Sequence, residues 1–180
     1  MSISYRLRPQ LSSQFSLEFG VRAVTSPEIE IIPFDIRYAS DFKQLNLEWL
    51  HRYFTVEPID EEVLSHPEHI ISDGGMLLLA KLEGKIIGTC ALLHEGHGRF
   101  ELSKTAVTTS EQGKGVGRKL VVAAIAEFKK IGGLELYLET NSILQTAITL
   151  YESVGFVHAQ RPSPSPYARA NVYMIYQHKK

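Results

Sequence analysis

The rhythm of the chain changes near residue 107. Before it, Met76–Leu82, Lys85–His94 and Arg99–Val107 are three strand-length apolar segments. They are joined by Glu83-Gly84 and by Glu95-Gly96-His97-Gly98, links short enough to require antiparallel pairing. After it, strands and helices alternate. Residues 117–131 place Leu120, Val121, Ala124, Ile125 and Phe128 on one helical stripe, and Gly132-Gly133 ends it. Residues 134–139 form the next strand, with Leu136 and Leu138 on one face. Leu144, Ala147, Ile148 and Tyr151 mark a second stripe, closed by Gly155. Residues 156–160 and 170–176 supply a last pair of strands. Hairpins followed by strand–helix alternation predict an α/β (α+β) chain, with a mixed sheet covered by helices on both faces.

Upstream, residues 28–34 alternate apolar and charged side chains, a strand pattern that Pro33 helps to close. Residues 40–54 carry Phe42, Leu45, Trp49, Leu50 and Tyr53 at helical spacing. A shorter helix is expected from Pro58, with Asp60, Glu61 and Glu62 in its first turn. Arg161-Pro-Ser-Pro-Ser-Pro166 is too proline-rich for either element and reads as an exposed loop. No repeat or linker interrupts residues 28–180, which form one domain after an extension of residues 1–27. That extension holds Arg6, Arg8 and Arg22, six serines and one acid, Glu18, a composition that suits an organelle transit peptide. The alternative is a segment that lies over the domain or frays.

Composition narrows the function. With 44% hydrophobic and 22% charged residues, the chain of 180 residues is an ordinary globule rather than a disordered one. A net charge of -1 argues against a dedicated nucleic-acid binder. No apolar run approaches the ~20 residues of a membrane span, so no membrane partner is expected. Cys90 is the single cysteine, which excludes an intrachain disulfide and points to a reducing, cytoplasmic setting. A homodimer is compatible with all of this.

The chemistry sits in Val107-Thr-Thr-Ser-Glu-Gln112-Gly-Lys-Gly-Val-Gly117-Arg118, between a strand and a helix N-terminus. Glycines at 113, 115 and 117 let backbone N–H groups converge, and the helix end adds partial positive charge, a combination suited to phosphate. A Walker loop is excluded because Gly117 is followed by Arg118 and Lys119, with no hydroxyl for magnesium. The dinucleotide fingerprint fails because the third glycine comes one residue early.

Gln112-x-x-Gly115-x-Gly117 resembles the [QR]-x-x-G-x-[GA] pyrophosphate loop of the GNAT acetyltransferases, which use acetyl-coenzyme A. Ala147-Ile-Thr-Leu-Tyr151-Glu-Ser-Val-Gly155-Phe156 resembles that family's A-x-x-L-Y-x-x-x-G-F segment, in the same order and at its usual separation. The hairpin Met76 to His94, with Gly88, is similar to the family's second and third strands. The resemblance covers residues 28–176. It implies a mostly antiparallel sheet of about seven strands with a splayed central pair.

The resemblance also implies an N-acetyltransferase that acetylates a primary amine of a small molecule, peptide or protein by direct attack in a ternary complex. Thr105, Ala106 and Val107 would pair with the pantetheine arm, and the amides of Gln112, Gly113, Lys114, Gly115, Val116, Gly117 and Arg118 would hold the pyrophosphate. Glu101, eleven residues before Gln112, matches the base of histone-type members. A solvent-facing carboxylate, or one paired with Lys104, is the alternative. Tyr151 matches the tyrosine that serves the departing thiolate, against a purely structural place on its apolar stripe. No metal is expected. One departure is Leu144, where the family often carries asparagine; Asn141 is expected to cap the helix instead. A different class, a catalytically silent acyl-CoA sensor, stays open, as does a nucleotide-phosphate binder.

His94-Glu-Gly-His97 lacks the i, i+4 spacing of a helical zinc motif. Cys90, mid-strand beside small and apolar residues, reads as a buried hydrophobe. Glu57, Asp60, Glu61 and Glu62 could attract a cationic amine, or simply complement a helix dipole. The acceptor itself is not legible, and Tyr167 with the proline loop is a candidate lid.

Overall fold

A computed structural model describes residues 28–177, so the N-terminal extension and its transit-like composition lie outside the described residues. The elements are β1 (Glu30–Pro33), α1 (Ala39–Tyr53), α2 (Pro58–Ser65), α3 (Pro67–Ser72), β2 (Met76–Leu82), β3 (Lys85–His94), β4 (Arg99–Val107), α4 (Val116–Lys130), β5 (Glu135–Thr140), α5 (Gln145–Ser153), β6 (Phe156–His158) and β7 (Val172–Tyr176). The strands form one sheet in the order β1-β2-β3-β4-β5-β7-β6. Every neighbouring pair is antiparallel except β4 with β5, which α4 connects as a parallel crossover.

Two cores lie on opposite faces of this sheet. Leu120, Val121, Ala124 and Phe128 of α4 and Ile148 of α5 pack on Cys90, Leu92, Phe100, Leu102, Leu136 and Leu138. Phe42 and Leu50 of α1, Leu64 of α2 and Ile70 of α3 pack on Leu77, Leu79 and Ala91. The alternation of β2 and β3 feeds both cores, and each fully buried leucine or phenylalanine contributes about 2 kcal/mol. Gly88 lets α4 sit close to the sheet, since a Cβ there would meet Leu120 Cδ1 at 3.0 Å and Ala106 O at 3.2 Å.

Three details differ from the sequence reading. Helix α3 was not anticipated; Pro67 at its first turn starts it, and six residues are too few to show periodicity. Leu144, not Asn141, stands at the N-cap position of α5, with no side-chain capping bond there. Asn141 instead closes the turn before it, its Oδ1 accepting from Ile143 N–H at 2.9 Å while Nδ2 donates to the Arg169 carbonyl. The last strands are shorter than the runs read from the sequence, because the segment between them leaves the ladder to bring Tyr167 to Lys104 and Arg169 to Asp60. Among the described residues, no helix is long and apolar enough to cross a membrane.

Candidate active site

Strands β4 and β5 separate soon after they meet. Arg99, Phe100 and Glu101 pair with Glu135, Leu136 and Tyr137, and beyond Glu101 no pairing with β5 continues. The cause lies in β4. Against β3, Ser103 pairs with Ala91 and Ala106 with Thr89, so β4 carries one residue more than its partner. That residue falls at Lys104, whose φ of 51° is rare for a side chain with a Cβ. The bulge twists β4 away and leaves its β5-facing edge beyond Glu101 without a strand partner among the described residues.

A cleft of about 790 Å³, mouth included, opens at this seam. β4 contributes Glu101 to Thr105, α5 contributes Ala147 and Tyr151, and α1 contributes Trp49, Leu50 and Phe54. Glu101 faces the side of α1 and α2 and is only 8% exposed, so the solvent-facing alternative does not hold. Burial pushes its carboxyl up to about 7, opposed mainly by the positive charge of Lys104. A carboxylate in a cleft with that affinity for protons is poised to exchange them at neutral pH.

Thr105 faces the other way. Its hydroxyl donates to Cys90 Sγ at 3.3 Å and lies beside the buried Tyr151 hydroxyl. Burial holds the Tyr151 phenol well above its usual range, so it stays protonated. Cys90 is fully buried and its thiol is pushed up to about 12, as expected of a packing residue.

At the N-terminus of α4, the first helical bond runs from Lys119 N–H to Gly115 O at 3.0 Å. The amides of Val116, Gly117 and Arg118 are therefore the uncommitted donors of the first turn. Gly115 caps the helix at φ 83°, and a Cβ there would meet nothing within 4 Å. Space in front of bare amides suits a bound anion. The loop side chains are occupied. Gln112 Nε2 donates to the Val107 carbonyl at 2.9 Å, Lys114 pairs with Glu111 at 3.2 Å, and Arg118 donates to Ser153 Oγ at 2.7 Å. Ala106 and Val116 are buried, so neither offers a side chain to a ligand at the surface. Thr109, at the start of this loop, is held to α1 by bonds from its N–H and hydroxyl to Glu48, at 3.2 and 2.7 Å.

The structure thus gathers Glu101, Thr105 and Tyr151 into the cleft, while residues 112–118 do not line it. It also brings in Arg169, which the sequence did not single out, and joins it with Lys104 and Tyr167 around Asp60. Asp60 is 1% exposed and receives Arg169 Nη1 at 2.7 Å and Nη2 at 2.8 Å. Burial raises the Asp60 carboxyl, but Arg169, the Glu57 N–H and Lys104 together hold it below its usual range. Asp60 and Glu57 form the capping box of α2, whereas Glu61 and Glu62 are exposed. The four acids are therefore no cationic-amine trap: two are neutralised and two point to solvent. Tyr167 lines the cleft and accepts from Lys104 Nζ at 2.7 Å. No spacing rule links positions 60, 104 and 169, so only the fold could reveal this cluster.

Comparison with known proteins settles the family. The family model described as the acetyltransferase (GNAT) family matches residues 43–156. The chain belongs to that family. Among GNAT relatives, it is 29% identical over 113 residues to YjgM of Escherichia coli (strain K12), an uncharacterized N-acetyltransferase, covering 63% of this chain and 60% of the relative. Two other curated relatives are covered over only 27% and 38% of their lengths. An acetyltransferase of the GNAT family from Staphylococcus aureus Mu50 shares the fold at TM-score 0.76 and 22% identity, over 83% of this chain and 98% of that one. YncA of Salmonella typhimurium, solved with its cofactor acetyl-CoA, shares it at TM-score 0.67 and 21% identity, over 85% and 95%. The seven-stranded, mostly antiparallel GNAT sheet with its open central pair is the architecture described above. Acyl transfer is the activity of the family.

Proposed function

We propose that the chain is an acetyl-CoA-dependent N-acetyltransferase acting on a primary amine in a ternary complex. The observation that carries this reading is the meeting, at one opening in the sheet, of a buried carboxyl on one face and a buried phenol on the other. The acetyl-CoA of the Salmonella neighbour supports the choice of donor. The residues here fit it: the unpaired edge of Thr105, Ala106 and Val107 would hold the pantetheine arm, and the amides of residues 112–118 the pyrophosphate. Acetyl-CoA supplies an activated acetyl thioester.

The rest is done by this chain. An alkyl ammonium, with a pKa near ~10.4, must lose a proton before it can attack. Glu101 accepts it, and a backbone N–H at the end of residues 105–107 stabilises the oxyanion. Tyr151 donates a hydrogen bond to the departing sulfur. With its pKa above that of a thiol, ~8.5, it serves as a donor more readily than as a source of a transferred proton.

Two measurements test the reading. Isothermal titration should show acetyl-CoA binding and no ATP binding; ATP alone would replace the reading with a nucleotide binder. A free-thiol assay across amines should show coenzyme A release, whereas binding without release from any amine would indicate an acyl-CoA sensor. For the roles, Tyr151→Phe should lower kcat by about 100-fold while the Kd for acetyl-CoA changes only a few-fold. Unchanged kcat would return Tyr151 to a packing role.

A further inference from the structure

Lys104 is the residue the proposed chemistry leaves unexplained. Its side chain is 6% exposed, yet it lines the cleft on the same strand as Glu101. Buried ammonium groups are costly unless their three donors are satisfied. Here one N–H donates to the neutral Tyr167 hydroxyl at 2.7 Å. The nearest carboxylate oxygen among its ion pairs is Asp60 Oδ1, at 3.5 Å. Asp60 is already taken: its oxygens receive both Arg169 nitrogens at 2.7 and 2.8 Å and the Glu57 N–H at 3.1 Å. Lys104 is therefore buried and lines the cleft, its short hydrogen bond going to the Tyr167 hydroxyl and its charge balanced by Asp60 and Glu101. The backbone holds it there at a φ of 51°, a cost that persists only where the surroundings require it.

The walls around it narrow the occupant. Trp49, Leu50 and Phe54 form an apolar side of the cleft. The acids that would hold a second ammonium are spent, Asp60 and Glu57 on Arg169 and the cleft-lining Glu139 on Arg161, while Glu61 and Glu62 face solvent. A polyamine finds no partner for its distal charges. A molecule carrying an ammonium, an adjacent carboxylate and an apolar group finds one for each.

We infer that the acceptor is an α-amino acid with a free carboxylate and an apolar side chain, its carboxylate held by Lys104 and its amino group presented to Glu101. This rests on the acetyltransferase reading and goes one step past it by naming the acceptor class. Lys104 is a specificity residue, since it would touch the substrate away from the reacting nitrogen.

Matched trios test it in the free-thiol assay: leucine, leucinamide and 3-methylbutylamine, and phenylalanine, phenylalaninamide and phenethylamine. The free acids should exceed their amides and amines in kcat/KM by on the order of 10- to 100-fold, the range of one charge-assisted hydrogen bond. In Lys104→Met that ratio should collapse toward one, through KM, and Lys104→Arg should restore part of it. Titration of leucine against leucinamide gives the same comparison as Kd, without turnover, and a thermal melt of each variant confirms that it is folded. Amides used as well as acids, a preference surviving in Lys104→Met, or silence of the acids while acetyl-CoA binds would each overturn the inference and leave the acetyltransferase reading intact. Failure of acetyl-CoA to bind would sink both.

Discussion

Glu101→Gln should lower kcat by about 100-fold or more and remove the rise of activity through about pH 7. The sign follows from the environment. Burial makes ionisation of Glu101 costly, so the wild-type carboxyl is protonated below about 7 and cannot accept the ammonium's proton. With an amine that stays an ammonium from pH 5.5 to 8.5, kcat/KM of the wild type should climb with a midpoint near 7 and then level. Glutamine keeps the shape and loses the titration, so the climb should vanish along with the rate. The same shift acts on stability in the opposite sense. A carboxyl whose folded pKa is raised stabilises the fold below its unfolded pKa, and that contribution is lost as pH rises through about 7. Melting temperature should therefore fall across this window in wild type and stay flatter in Glu101→Gln. An unaltered rate profile in the variant would move the base role to another group.

The second large effect concerns the fold. Asp60→Ala is expected to cost about 3 kcal/mol, because it strands two cations and unmakes a helix cap together. Arg169, paired with Asp60 at 2.7 Å, keeps only Glu57, at 2.8 Å, and Lys104 keeps the Tyr167 phenol and the charge of Glu101. For a chain of 180 residues that corresponds to a fall of roughly 6–12 °C in Tm. Removing the stranded cation as well should recover part of it: Asp60→Ala with Lys104→Met keeps the Arg169–Glu57 pair and no longer buries an ammonium that has lost Asp60. A loss below about 1 kcal/mol in the single variant would mean that water reaches these cations and the cluster is not truly buried.

Much of this architecture was legible from residue order. The hairpin turns at Glu83-Gly84 and at residues 95–98 fix antiparallel neighbours, and the stripes of α4 and α5 fix which faces are covered. The glycine loop and the tyrosine of α5 were legible because each depends on local spacing. The cluster of Asp60, Lys104 and Arg169 was not, since its members come from a helix, a strand and a loop that meet only after the sheet closes. Lys104 was named only as a neighbour of Glu101, because a bulge has no signature in a strand without glycine or proline. Residues 112–118 read as a binding loop because of their glycines; in the structure their polar side chains are tied to the chain around them, Gln112 to Val107, Lys114 to Glu111 and Arg118 to Ser153.

The extra residue in β4 has a consequence for how such a chain can change. In a regular strand, Glu101 and Thr105 would share a face, since side chains repeat every second position. The bulge inserts a phase slip, so Glu101 and Thr105 lie on opposite faces, and on the proposed function the strand before the slip would address the acceptor and the strand after it the thioester. Mutations on either side of the slip then fall into separate neighbourhoods. On that proposal, residues 101–104 could change with the acceptor while the half proposed to meet the donor stays as it is. Deleting Lys104 would let β4 pair regularly with β3, with Glu101 and Thr105 three residues apart and still on opposite faces, and would remove the twist that parts β4 from β5.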